Sequence, residues 1–91
     1  SPTAKFDLKD IAAFIAEDST SAAERFVRSL FHAVERLADF PESGRIVPEF
    51  NDPVLREIIR KPCRIVYRVD NKKCTIEIAR VWHAARGIPD I

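Results

Sequence analysis

Apolar residues recur every three or four positions at the start of the chain. Leu8, Ile11 and Ile15, with Phe14 beside them, fall on one face of a helix over residues 3–17, while Asp7, Lys9, Asp10 and Glu17 lie elsewhere. Asp18-Ser19-Thr20 breaks the pattern. Ser21-Ala22-Ala23-Glu24 then reads as a capping box, in which the Ser21 hydroxyl accepts from the Glu24 amide and the Glu24 carboxylate reaches back. A second helix follows with Ala23, Phe26, Val27, Leu30, Val34 and Leu37 as its stripe. It stops near Asp39, because Pro41 disfavours helical geometry at Phe40. Two amphipathic helices joined by a short turn predict a helical hairpin over about residues 3–39.

Beyond Pro41 the period changes. Pro41, Gly44, Pro48 and Pro53 punctuate a loop with one short extended piece at Arg45-Ile46-Val47. Leu55–Arg60, Cys63–Val69 and Cys74–His83 are rich in β-branched and aromatic residues and predict strands, the last two joined by the polar turn Asp70-Asn71-Lys72-Lys73. A simple hairpin there pairs residues whose numbers sum to 143, setting Cys63 opposite Arg80 and Arg64 opposite Ala79. Alternation puts Cys63, Ile65, Tyr67 and Val69 under the helices with Ile76 and Ile78. Arg60, Arg64, Arg68, Glu77, Val81 and His83 then share the open face. Arg80 and Trp82 fall on the core face unless a bulge intervenes. The expected fold is α+β: one domain over residues 1–91, with the hairpin on one face of a three- to four-stranded antiparallel sheet at about 45–83.

Composition narrows the class. Hydrophobic residues are 46% and charged residues 32%, with two glycines, which excludes a disordered tail, a collagen-like repeat or a disulfide mini-protein. The longest apolar run, Ile11 to Ala16, is too short to span a membrane. No secretory signal is visible, so Cys63 and Cys74 read as reduced thiols of a cytoplasmic protein. In the simple register the two lie about 20 Å apart along the ladder, too far for a disulfide. With only His32 and His83 as histidines, no zinc set forms from close neighbours, and neither metal nor cofactor is expected. The net charge of +1 hides an asymmetry. Residues 1–44 carry five Lys/Arg against eight Asp/Glu, and residues 45–91 ten against six. A basic second half suits an anionic partner or simply complements the acidic first half.

Several segments, in order, resemble the RelE/ParE superfamily of type II toxin–antitoxin toxins over nearly the whole chain. They are Ala4 to Ile15, Ala22 to Phe26, Leu37-Ala38-Asp39-Phe40-Pro41, Gly44 to Glu49, Leu55-Arg56-Glu57-Ile58, Arg64-Ile65-Val66-Tyr67-Arg68-Val69 and Arg80 to Arg86. The resemblance implies a small toxin, of the kind associated with plasmid stabilization, that a cognate antitoxin neutralises in a hetero-oligomer. It also implies a strand before the first helix. The chain starts at Ser1-Pro2, so the expectation is that a few residues are absent and one sheet edge stands uncovered.

The superfamily divides by target. One branch binds the ribosome and cuts mRNA without a metal; the other inhibits DNA gyrase by binding alone. By resemblance to the ribonuclease branch, the catalytic positions are Glu49, Arg64 and His83. Cleavage through the RNA 2′-hydroxyl needs a base, a cation for the charge developing on phosphate and an acid for the leaving oxygen. Glu49 suits the base, Arg64 the clamp and His83 the acid, with Arg45, Arg60, Arg68 and Arg86 as further phosphate contacts. The plainer alternatives are a solvated loop carboxylate at Glu49, salt bridges from Arg64 and Arg68 to Glu57 and Glu77, and a locally bonded His83. Trp82 reads as packed under the helices, Tyr67 as core and His32 as structural. His83-Ala84-Ala85-Arg86 departs from the usual ending of the gyrase branch. The terminal tyrosine of several ribonuclease members is missing too. Ribonuclease is placed first and gyrase inhibition second.

Overall fold

The computed structural model describes residues 1–91. Helix α1 spans Pro2–Asp18 and helix α2 Thr20–Asp39, joined by a single residue. That residue, Ser19, is extended (φ −159°, ψ 113°), which ends α1, and its hydroxyl accepts from the Ala22 amide at 3.1 Å, which starts α2. The cap therefore sits two residues before the expected Ser21, whose hydroxyl instead accepts from Arg25. At the chain start Ser1 caps α1 by accepting from the Ala4 amide, and Pro2 occupies the first turn, where its missing N–H costs nothing.

Four antiparallel strands follow: β1 (Arg45–Ile46), β2 (Leu55–Arg60), β3 (Cys63–Asp70) and β4 (Thr75–His83), in spatial order β1-β2-β3-β4. The fold is α+β, two helices on a four-stranded sheet. The core lies between these layers. Leu30 of α2 packs on Cys63, Ile65 and Val81, and Leu37 packs on Tyr67 and Val69. Each large apolar side chain buried here stabilises the fold by about 1.5–3 kcal/mol. Tyr67 has no solvent exposure, and its hydroxyl donates to the Pro41 carbonyl at 2.7 Å while accepting from the Gly44 amide at 2.9 Å. No helix is long and apolar enough to cross a membrane.

The β3–β4 register differs from the simple hairpin. Asp70 Oδ1 accepts from the amides of Lys72 and Lys73, and Cys74 takes a left-handed φ of 52°, so the turn brings Asp70 opposite Thr75 and Tyr67 opposite Ile78. Beyond it Val66 pairs with Arg80, leaving Ala79 as one extra residue in β4. This bulge reverses the faces of everything after it. Arg64 stands opposite Trp82, not Ala79, and Cys63 opposite His83, not Arg80. Val81 joins the core, and Trp82 leaves it for the face away from the helices. Arg60 pairs with Cys63 and so belongs to the helical side, not beside Arg64.

The second face of the sheet is partly covered. Val47, Leu55 and Val66 form a small cluster there, which holds the chain between β1 and β2 against the sheet. The outer edge of β4 is met at three points. The Ser1 amine and hydroxyl donate to the carbonyls of Ile78 and Ala79, and the Val81 amide donates to Asp7 Oδ2.

Candidate functional site

On the face away from the helices, three strand-borne side chains converge. Glu57 of β2 pairs across the ladder with Arg45 of β1 and with Val66 of β3. Its side chain has no solvent exposure, so its charge must be met inside the protein. Arg64 Nε donates to Glu57 Oε1 at 2.6 Å, and Arg45 Nε donates to Glu57 Oε2 at 2.6 Å. One buried carboxylate thus fixes two guanidinium groups.

The other edge of Arg64 points to Glu49, on the segment between β1 and β2. Arg64 Nη1 donates to Glu49 Oε2 at 2.9 Å and Nη2 to Oε1 at 2.6 Å, a two-pronged pair. Hydrogen bonds from Arg64 hold the Glu49 carboxyl well below its ordinary value of 4.5, at about 2. The same two carboxylates push Arg64 further up. All three guanidinium nitrogens of Arg64 are engaged.

His83 is not part of this group. It pairs with Cys63, so it faces α1, where it borders a cavity of about 490 Å³ with Asp10 and Phe14. Its Nδ1 accepts from the Ala85 amide at 3.1 Å and caps the short 3-10 turn Ala84–Arg86. Glu49 and Arg64 therefore meet, while His83 stands across the sheet from them.

The remaining arginines divide. Arg45 joins the cluster through Glu57. Arg68 is exposed on the Arg64 face, opposite Glu77, and forms no ion pair. Arg60 turns back to the Ile59 carbonyl. Arg86 lies over the Trp82 ring at 4.1 Å from its centroid, and Arg80 lies over the ring at 4.8 Å. The Trp82 indole donates to the Gly87 carbonyl at 3.1 Å. Trp82 thus lies on the face away from the helices, opposite Arg64, where these two arginines and the Gly87 carbonyl meet it. His32 is exposed on α2 rather than structural.

Sequence reasoning missed the Asp7–Arg80 pair. Asp7 is 7% exposed and takes Arg80 Nε at 2.8 Å and Nη2 at 2.9 Å. The signal was present: Ala4, Asp7, Leu8 and Ile11 share one helical face, and an aspartate inside an apolar stripe needs a buried partner. Cys63 is buried, and burial pushes its thiol up to about 11, so it is an inert core residue.

The comparisons agree with this architecture. A family model described as "ParE toxin of type II toxin-antitoxin system, parDE" matches residues 1–88. The chain is 35% identical to a protein of Sinorhizobium fredii named "Putative toxin Y4kP", over 92% of this chain and 83% of that one. It is 34% identical to "Toxin RelE2" of Caulobacter vibrioides, over 88% of this chain and 85% of the relative. Family, fold and relatives coincide: the chain belongs to the ParE toxin family of type II toxin–antitoxin systems, within the RelE/ParE superfamily.

Proposed function

We propose that this toxin arrests growth in the cytoplasm by binding DNA gyrase and cuts no RNA. A cognate antitoxin, the partner that the family implies, holds it in check in a hetero-oligomer. The observation that carries this reading is the closed state of Arg64. The arginine that a ribonuclease needs as a phosphate clamp spends Nε on Glu57 and both Nη groups on Glu49. Glu49, the would-be base, sits near 2, several units from the neutral range where a general base works best. His83, the would-be acid, faces α1. A toxin acting through its surface needs none of the three in a reactive state.

Ribosome-dependent mRNA cleavage is the second reading, favoured by one observation: Glu49 and Arg64 are in direct contact. The purified wild-type protein separates the two. Added to gyrase and relaxed plasmid, it is expected to block supercoiling in proportion to its concentration. Added to ribosomes paused on a defined message, it is expected to leave the message intact. Full supercoiling together with new 5′ ends at the decoding site, lost in Arg64→Lys, would overturn the proposal.

A further inference from the structure

Three side chains of β4 fasten the segment that follows it. Arg80 Nη1 donates to the Asp90 carbonyl at 2.7 Å, the Trp82 indole donates to the Gly87 carbonyl at 3.1 Å, and His83 Nδ1 accepts from the Ala85 amide at 3.1 Å. Two backbone bonds complete the turn, from the Ala84 amide to the Pro62 carbonyl and from the Gly87 amide to the Ala84 carbonyl. The guanidinium and the indole keep their protons throughout the neutral range. His83 differs on both counts: it is the acceptor of its bond, and an imidazole changes charge between about pH 5 and 8. The bond to Ala85 exists only in the neutral tautomer that carries its proton on Nε2. Protonation places an N–H on Nδ1, facing the Ala85 N–H, so that two donors meet and no acceptor remains.

We infer that His83 is a pH-sensitive clasp: the neutral imidazole holds the Ala84–Arg86 turn closed, and the imidazolium opens it and turns toward Asp10 and Glu17. Those two carboxylates of α1 line the same cavity of about 490 Å³ and form no ion pair, so they are free to accept from the charged ring. Asp7 lines it too, but Arg80 already meets its charge. Opposing protonation are Arg86, on the cavity wall, and Arg60, which shares the helical side of the sheet beyond Cys63. Cys63 between them is a neutral thiol. The closed turn requires the unprotonated ring and the open turn takes up the proton, so closure holds above the imidazole range and is lost as pH falls through it. Arg86 ends the turn and lies over the Trp82 ring at 4.1 Å, so opening uncovers an indole that is only 4% exposed. This inference stands apart from the gyrase reading, and either can fail alone.

The test titrates the full chain from about pH 8 to pH 5, the range of an imidazole. Trp82 is the only tryptophan, so its emission reports the state of the turn directly. The expected result is a red shift of that emission, with the Ala85 amide and Trp82 indole N–H resonances moving at the midpoint of the His83 ring itself. The closed-to-open ratio falls roughly tenfold across the transition, the worth of one local hydrogen bond. His83→Asn supplies a carboxamide oxygen that accepts from Ala85 without titrating, and is expected to stay closed and flat over the whole range. His83→Ala is expected to be open and equally flat, and the asparagine variant guards against reading a folding defect in the alanine one. His32→Gln, at the only other histidine, leaves the wild-type transition unchanged. The same transition persisting in His83→Asn, or a His83 ring that titrates while the Ala85 and Trp82 signals stay still, overturns the clasp.

Discussion

Tyr67→Phe isolates what one hydroxyl does for the fold. It removes a single oxygen from a fully buried ring and leaves the ring's packing against Leu37 and Val69 in place. Two hydrogen bonds go with it: the 2.7 Å bond to the Pro41 carbonyl and the 2.9 Å bond from the Gly44 amide. The two losses differ. Pro41 is half-buried and can recruit water, whereas Gly44 is buried and its N–H is left without an acceptor. One ordinary net hydrogen bond plus the penalty of an unsatisfied buried donor comes to about 2 kcal/mol. For a domain of this size, that lowers Tm by about 8–16 °C. Urea unfolding is expected to shift its midpoint with an unchanged slope, and exchange of the Gly44 amide to speed up selectively. A loss below about 0.5 kcal/mol, or an unaltered Gly44 amide, would refute the claim that this hydroxyl fastens the start of the sheet to the end of α2.

Further outcomes follow from the same structure. Ser19→Ala is expected to cost about 1 kcal/mol and Ser21→Ala much less, measured by thermal unfolding; the reverse order would restore the capping box at Ser21. Asp7→Asn leaves Arg80 and the Val81 amide with a neutral partner and is expected to cost roughly 2–3 kcal/mol, less than a fully buried pair because Arg80 keeps some exposure. Gly44→Ala places a Cβ 2.6 Å from the Tyr67 hydroxyl and 2.7 Å from the Glu57 carbonyl, and is expected to destabilise by about 1–3 kcal/mol in denaturant titration. The folded Glu49 carboxyl sits near 2 against an ordinary 4.5, so its contribution is full above about 4.5 and fades as pH falls toward 2. An NMR titration placing the Glu49 midpoint above 4 would contradict the pairing with Arg64.

The helices and strands were legible because their periods are. Ile11, Ile15, Leu30 and Leu37 mark two helical faces, and Cys63, Ile65, Tyr67 and Val69 alternate cleanly under them. The register was not legible, because the extra residue at Ala79 leaves no mark in composition. Ala79 is as compatible with a ladder position as with a bulge, yet it decides the faces of Arg80, Trp82 and His83. The cap was misplaced for a related reason: Ser19 and Ser21 both suit an N-cap, and only the extended backbone at Ser19 selects between them. In the site, the contact of Arg64 with Glu57 was open to sequence reasoning as a strand-to-strand pair. The reach of Glu49 was not, since it depends on how Val47 seats the following chain on Leu55 and Val66.

Arg80 links both ends of the chain to one strand. It grips Asp7 of α1 and, through Nη1, the Asp90 carbonyl at 2.7 Å, while the Ser1 amine rests on Ile78 two residues away. One side chain on the edge strand thus serves as a common latch for helix α1 and for the segment at Asp90, and Arg80→Ala would release both from β4 in a single step.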